Sequence, residues 1–355
     1  MIKNLLQQFN LTDTVTHYTI FGNGLINRTW VVDTVDNKYI LQRINDNVFT
    51  NPAAIDENIN AINQFLKCHF PEYIFTAPVF TSNHKSLIHI PGEGYFRLFE
   101  FIPDSHTYTV LENPALAFEA SQQFGKFTKL LADFDSSQLK ITLSGFHNLS
   151  LRYTQYTTAL ATSSAARLSI AQEAITIANT YVHIVETYET ILANPLFKKR
   201  VTHHDTKISN VLFNSHNRGI CVIDLDTVMP GYFISDVGDM MRTYLSPAGE
   251  EETDMTKIEV REPYFDAIVQ GYLSQMNTEL TTEEKKYFVY AGKFMIYMQA
   301  LRFLTDYLNN NIYYGASYEL HNLHRAINQL TLLQLLTQKE DALNKRVSVF
   351  AAQYQ

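Results

Sequence analysis

The most constraining stretch of the chain is a polar loop set between short apolar runs, Val201-Thr202-His203-His204-Asp205-Thr206-Lys207-Ile208-Ser209-Asn210-Val211-Leu212-Phe213. A second polar end follows at once, in Gly219-Ile220-Cys221-Val222-Ile223-Asp224-Leu225-Asp226. The apolar runs read as buried strands, so the polar residues stand where strands open into loops. Asp205 and Asn210 lie five positions apart, with Lys207 between them. In the order H-x-D-x-K-x-x-N, the Asp orients a hydroxyl or accepts its proton, the Lys meets a phosphate oxygen and the Asn holds a metal ion. Asp224, at the end of the next strand, would hold Mg²⁺ against the phosphates of ATP. The combination predicts phosphoryl transfer.

At 355 residues the chain is long for one core, and two lobes are the default expectation. A hydrophobic fraction of 46% with 13% aromatic residues is ample for a globular interior. The formal charge of −8 argues against non-specific DNA or RNA binding, which favours a basic surface. It leaves ATP open, because local cations decide that. The two cysteines, Cys68 and Cys221, fit no metal spacing, and Cys221 within an apolar strand reads as a buried, inert thiol. No apolar run approaches about 18 residues and no signal peptide is evident, so a soluble cytoplasmic protein without membrane contact is expected.

In chain order, Ile2, Leu5, Leu6 and Phe9 suggest a short amphipathic helix. Residues 15–21 and 28–35 read as strands joined by Gly22-Asn23-Gly24-Leu25-Ile26-Asn27. Gly22 and Gly24 would let backbone N–H groups approach a phosphate, with Asn27 in the third position of a G-x-G-x-x-G pattern. An ordinary hairpin turn is the competing reading. Residues 38–44 form a third strand, where Arg43 has the parity to reach phosphates and Leu41 shares its face. Gln42, on the opposite face, is the alternative, and a plain surface Arg is another. A helix over 51–67 carries Glu57 in its first turns, either pairing with Arg43 or simply favoured by the helix dipole. Strands at 86–90 and 95–102 complete five strands and one helix. Backbone groups of Glu100-Phe101-Ile102 would meet adenine, and the boundary between lobes is expected at 103/104.

From Pro114 onward the periodicity is helical. Residues 168–192 read as one long amphipathic run. Asp236 and Asp239 stand one turn apart at a helix start, where capping is the simplest role. Residues 247–255 suggest a loop, with the Glu250-Glu251-Glu252 run solvated. Helices over 257–276, 282–308 and 319–343 finish the chain. The expected fold class is α+β: a small five-stranded antiparallel lobe (1–103) above a larger helical lobe (104–355).

Gly turn, basic strand, acidic helix, hinge, H-x-D-x-K-x-x-N and I-D, in that order, resemble the choline kinase and aminoglycoside phosphotransferase superfamily, which shares the protein-kinase-like fold. The resemblance covers nearly the whole chain. No D-F-G or A-P-E is present, and Asp224-Leu225-Asp226 looks like the I-D-x-[DE] of small-molecule kinases. Within the superfamily the chain most resembles N-acetylhexosamine 1-kinases. That likeness rests on Gly145-Phe146-His147-Asn148, on 203–207, on 221–231, on Gly238-Asp239-Met240-Met241-Arg242-Thr243 and on 301–308. It implies transfer of the γ-phosphate of ATP to the anomeric hydroxyl of N-acetylglucosamine or N-acetylgalactosamine. A β3 Lys is absent, which leaves Arg43 less anchored in the pattern than Asp205, Asn210 and Asp224.

On this reading Asp205 aligns the sugar hydroxyl and takes its proton, while Asn210 and Asp224 ligate Mg²⁺. Lys207 and Arg43 offset phosphate charge. His203 fixes the loop by a hydrogen bond, and His204 has no assigned role. Arg302 has Asp306 four residues on, so an intrahelical ion pair competes with the sugar contact implied by the resemblance. Asp226 would complete the metal site or touch the sugar. A kinase of choline, ethanolamine, homoserine or an aminoglycoside is the alternative function, and a catalytically dead nucleotide-binding protein is another.

Overall fold

The computed structural model describes residues 2–9, 11, 15–21 and 26–354. Gly22 and Gly24, expected to meet phosphates, lie outside the described residues. The first part runs α1 (Ile2–Gln7), β1 (Val15–Ile20), β2 (Arg28–Thr34), β3 (Lys38–Ile44), α2 (Pro52–His69), β4 (Ile88–Ile90) and β5 (Gly94–Glu100). Its strands make one antiparallel sheet in the order β1-β2-β3-β5-β4. Asn51 sets the start of α2 by accepting the Ala54 N–H, and Pro52 supplies a preset first turn.

The second part begins with α3 (Pro114–Leu130), α4 (Leu149–Thr162), α5 (Ala165–Ile170), α6 (Gln172–Thr180) and α7 (His183–Ala193). Four short strands follow, β6 (Arg200–Thr202), β7 (Val211–Phe213), β8 (Gly219–Val222) and β9 (Met229–Gly231). Helices α8 (Phe233–Tyr244), α9 (Glu262–Met276), α10 (Thr282–Lys285), α11 (Phe288–Leu308), α12 (His321–Gln338) and α13 (Glu340–Gln353) complete it. The fold is therefore α+β, a five-stranded antiparallel sheet followed by a helical part.

Residue alternation gives the sheet two faces with different tasks. Trp30, Leu41 and Leu98 stand opposite one another across β2, β3 and β5, and they pack with Leu5, Leu6 and Phe9 in a small core. Thr29, Gln42 and Arg97 form the next row and point to the other face. That second face looks toward the helical part, because Arg97 meets Asp226 there. Helix α2 contributes Ile55, Ile59, Ile62 and Leu66 to the larger core, shared with the C-terminal helices.

At the centre of that core, α11 is buried on nearly every side. It packs along α8 and α12. Gly238 makes the α8 crossing close: a Cβ there would overlap the Ala291 carbonyl oxygen and press on Met295 Cβ at 3.0 Å. This contact fixes the start of α8, which carries Asp236 and Asp239.

Helix boundaries depart from expectation in four places, the simplest being the helix expected over 257–276, which starts at Glu262. The 168–192 run is three helices, broken at Ala171 and Tyr181; the second and third bury apolar faces, whereas the first has no fully buried residue. The 282–308 run breaks before Phe288, and the last helix stops at Gln338 and restarts as α13 through Gln353. A 3.6-residue hydrophobic period survives a break of one or two residues, so periodicity reads straight through such turns. Among the described residues no helix is long and apolar enough to cross a membrane.

Candidate active site

Two interleaved strand pairs bring the polar loops together. β6 pairs with β9 and β7 with β8, so the loop after β6 and the loop after β8 lie side by side. The Ile223 N–H donates to Asn210 O at 2.9 Å and closes them on each other. Asn210 donates its Nδ2 to Asp205 O at 2.9 Å, which leaves its amide oxygen as the atom able to meet a cation. Lys207 Nζ stands 2.9 Å from Asp205 Oδ2. Burial works against the Lys207 charge, but Asp205 and Asp224 outweigh it and hold the ammonium above its ordinary range. Asp224 takes a left-handed backbone, φ 61°, as the strand ends, and its side chain stays open to solvent. The surrounding protein, then the carboxylates of Asp226 and Asp205, push its pKa upward. This surplus of negative charge, with the Asn210 amide oxygen on the adjoining loop, is chemistry that suits a hard divalent cation.

The loop itself is held from α8. Asp236, fully buried, accepts the His203 N–H at 3.0 Å and the His204 N–H at 2.7 Å. Asp239 accepts the Thr206 N–H at 2.8 Å, and Tyr244 donates its hydroxyl to Thr206 O at 2.6 Å. Capping is therefore not their role: Tyr232 occupies the N-cap position of α8 with no side-chain bond. Burial foremost pushes the Asp236 pKa up to about 7, against the pull of the two N–H groups. His203 is buried and neutral in character, its pKa lowered chiefly by burial, and its Nε2 bonds Ile223 O at 2.9 Å. His204 has φ 66°, and burial drops its pKa to about 4. Its ring lies where any Cβ on Gly231 would fall.

The sheet supplies a different cation from the one expected. Arg97, from β5, places Nη2 2.5 Å from Asp226 Oδ1, both side chains buried. Its Nε and Nη2 also reach Gln42 Oε1, at 3.1 and 2.9 Å, and Nη1 is buried without a partner. Arg43 instead shares the Leu41 face, away from the cleft, and lies against Gly94. Leu41 belongs to the small outer core, so it does not face adenine. Glu57 is exposed and makes no ion pair with Arg43 among the described residues. Its neighbour Asp56 turns inward and accepts from Ser86 Oγ at 2.8 Å. Asp226, expected at the metal or the sugar, is occupied by Arg97 and by Asn27, whose Nδ2 donates at 2.7 Å. Asn27 also accepts the Asn45 N–H at 3.0 Å, so it ties the end of the glycine turn to the second acidic group. At the hinge, Ile102 O is taken by Ser105 Oγ at 2.6 Å, and Glu100 pairs with Tyr39 at the end of β5.

On the far side of the loop, Arg302 donates to Gln299 Oε1 at 3.1 Å. Its guanidinium lies 5.9 Å from the Phe146 ring, 6.0 Å from Tyr313 and 5.4 Å from Tyr314. No pair with Asp306 forms, because Asp306 accepts from Tyr313 N, Tyr314 N and Asn322 Nδ2 at 2.7, 3.0 and 2.9 Å. Phe146 stacks on His147, and His147 lies 5.2 Å from His204 between ring centroids. A continuous row of rings thus joins Arg302 to the residue before Asp205.

Sequence reading missed Arg97 and the loop-holding roles of Asp236, Asp239 and Tyr244. The i,i+3 spacing of the two aspartates was the available signal, because it puts both on one helix face, whereas a cap needs one. Asp236→Ala would leave two buried N–H groups unpaired and is expected to cost about 2–5 kcal/mol. Urea unfolding of the purified variant measures this, and an unchanged midpoint would contradict the assigned role.

Comparison with known proteins adds the family. Among solved structures the chain is similar to an aminoglycoside phosphotransferase from Alicyclobacillus acidocaldarius subsp. acidocaldarius, at 12% identity over 98% of this chain and 95% of that one, with a TM-score of 0.64. It is similar to a microcompartment-associated aminopropanol kinase, at 14% identity over 98% of both chains, TM-score 0.61. A choline kinase from Cryptosporidium parvum Iowa II shows 14% identity over 99% of both chains, TM-score 0.57. At such identities these likenesses speak for the fold alone. Residues 17–274 match the phosphotransferase enzyme family designated APH. With most of its length in that match, the chain belongs to the phosphotransferase enzyme family.

Proposed function

We propose that the protein is an ATP-dependent small-molecule kinase that phosphorylates the anomeric hydroxyl of an N-acetylhexosamine. The observation that carries the reaction type is the joining of Asp205, Lys207, Asn210 and Asp224 on two adjacent loops, in a chain of the phosphotransferase family. The resemblance of segments 145–148, 203–207, 221–231, 238–243 and 301–308 to N-acetylhexosamine 1-kinases supports the sugar. So does Arg302. Its planar donors, set among aromatic rings, suit ring hydroxyls and an acetamide carbonyl. An unpaired guanidinium also disfavours the cationic acceptors choline, ethanolamine and aminoglycosides.

In this scheme Asp205 accepts a hydrogen bond from the sugar hydroxyl and aligns its oxygen with the γ-phosphorus. The new O–P bond forms as the bridging β,γ O–P bond breaks, the hydroxyl proton passes to Asp205 and ADP leaves. Lys207 holds Asp205 in place and offsets phosphate charge. Asn210 Oδ1 and the Asp224 carboxylate are the groups that would hold Mg²⁺, which would supply neutralisation of phosphate charge when bound. Arg97 takes the part first expected of Arg43: it is the cation that the sheet turns toward the cleft, kept there by Gln42. His203 and His204 position the loop without exchanging protons.

Asp205→Asn is expected to lower kcat on N-acetylglucosamine by about 10²-fold or more with ATP affinity nearly unchanged. Steady-state kinetics measures both, and unchanged turnover would remove Asp205 from the reaction. Asp224→Ala is expected to abolish the Mg²⁺ dependence of nucleotide binding. Calorimetry with and without Mg²⁺ tests this, and equal enhancement by Mg²⁺ in the variant would contradict the metal role.

A further inference from the structure

The arginines around the acceptor side fall into two kinds. Arg242 meets Asp239 at 2.9 Å and Glu250 at 3.1 Å, and Arg325 meets Glu250 and Glu251. Arg152 and Arg302 meet no carboxylate among the described residues. Arg152 donates to Gln155 Oε1 at 3.0 Å and to Gly145 O at 3.1 Å, both neutral acceptors. Arg302 has only the Gln299 amide, since Asp306 is occupied by the 313–314 backbone and Asn322.

These two cations line one cavity of about 360 Å³, in the groove between α4 and α11 that Tyr313 and Tyr314 border. Thr158, Thr305 and Asn309 add neutral polar groups to its wall, and Asp306 also lines it, its carboxylate taken up by the Tyr313 and Tyr314 N–H groups and Asn322 Nδ2. Arg152 Nε and Thr305 Oγ1 are buried there without hydrogen-bond partners. Burial, then the charge of Arg302, lowers the Arg152 pKa, so the pair is held at an electrostatic cost within the protein itself. Guanidinium groups match the paired oxygens of phosphate and carboxylate in both shape and charge. An oxyanion in the groove would neutralise both cations and satisfy the orphaned donors together.

We propose that the groove between α4 and α11 is an oxyanion subsite built on Arg152 and Arg302, taking a phosphate or carboxylate group. The group is either a substituent of the acceptor, which rests on the sugar-kinase reading, or a free anion, which does not.

The direct test is calorimetric titration of inorganic phosphate into the full chain, with the β,γ-imido analogue of ATP and Mg²⁺ present to fill the nucleotide site. One saturable site is expected, weakened about tenfold or more in Arg152→Gln and in Arg302→Gln and partly restored in Arg152→Lys. Circular dichroism checks that each variant is folded. No phosphate binding, or equal affinity in wild type and both Gln variants, overturns the proposal. A second arm compares KM for N-acetylglucosamine and its 6-phosphate. A lower KM for the 6-phosphate that is lost in Arg152→Gln assigns the anion to the acceptor, and equal KM values with phosphate binding intact assign a free anion. The titration needs no turnover, so absence of kinase activity on any sugar would sink the sugar-kinase reading while leaving the subsite measurable.

Discussion

The arrangement of the candidate site depends on one buried carboxylate. Asp236 takes two successive backbone N–H groups, from His203 and His204, and so fixes the direction in which the chain leaves β6. Asp239 takes the next available N–H, at Thr206, and Thr206 Oγ1 returns a bond to Asp236 O at 2.8 Å. The N–H groups of His203, His204 and Thr206 and the Thr206 carbonyl are all engaged on the α8 side. Asp205 alone in this run keeps its side chain toward the cleft, bonded to Lys207. The close approach of α8 to α11 at Gly238 carries that restraint into the centre of the larger core. A positioned base needs such a rigid backbone more than it needs a special pKa.

A second restraint joins the sheet to the loops. Arg97, Gln42, Asn27 and Asp226 form a continuous polar chain from β3 and β5 to the strand end after β8. Asp226 is thereby neutralised from above, while Asp224, two residues earlier, stays open. The Asp226 carboxylate is engaged by Arg97 and Asn27, whereas Asp224 is exposed. Buried ion pairs contribute little net stability, but they specify geometry, and here the geometry is the placement of the sheet against the loops.

The loop residues were legible in sequence because their chemistry and their chain neighbourhood coincide. Asp205, Lys207, Asn210 and Asp224 lie within twenty residues of one another, between apolar strands that announce themselves. Arg97 was not legible for the opposite reason. Strand alternation says which residues share a face but not which face looks into the cleft, and the face of Leu41 was the wrong one. Asp226 and Asp236 were misread because their partners, Arg97 and the 203–204 backbone, are distant in sequence. Asp306 and Arg302 show the same limit: the i,i+4 spacing left an ion pair as the alternative to a sugar contact, and the 313–314 backbone holds the stronger claim on the carboxylate. The fold class and sheet composition could be read from periodicity, whereas helix breaks at Ala171, Tyr181 and Lys339 could not.

The central claim is that this cleft delivers a phosphoryl group to the anomeric oxygen of an amino sugar. The most direct measurement is phosphorus NMR of the product formed from ATP and N-acetylglucosamine. The account predicts a phosphate resonance coupled to the proton on C1, growing as ADP accumulates. Phosphate on the 6-hydroxyl, or ATP consumed only with choline or an amino alcohol, would contradict it.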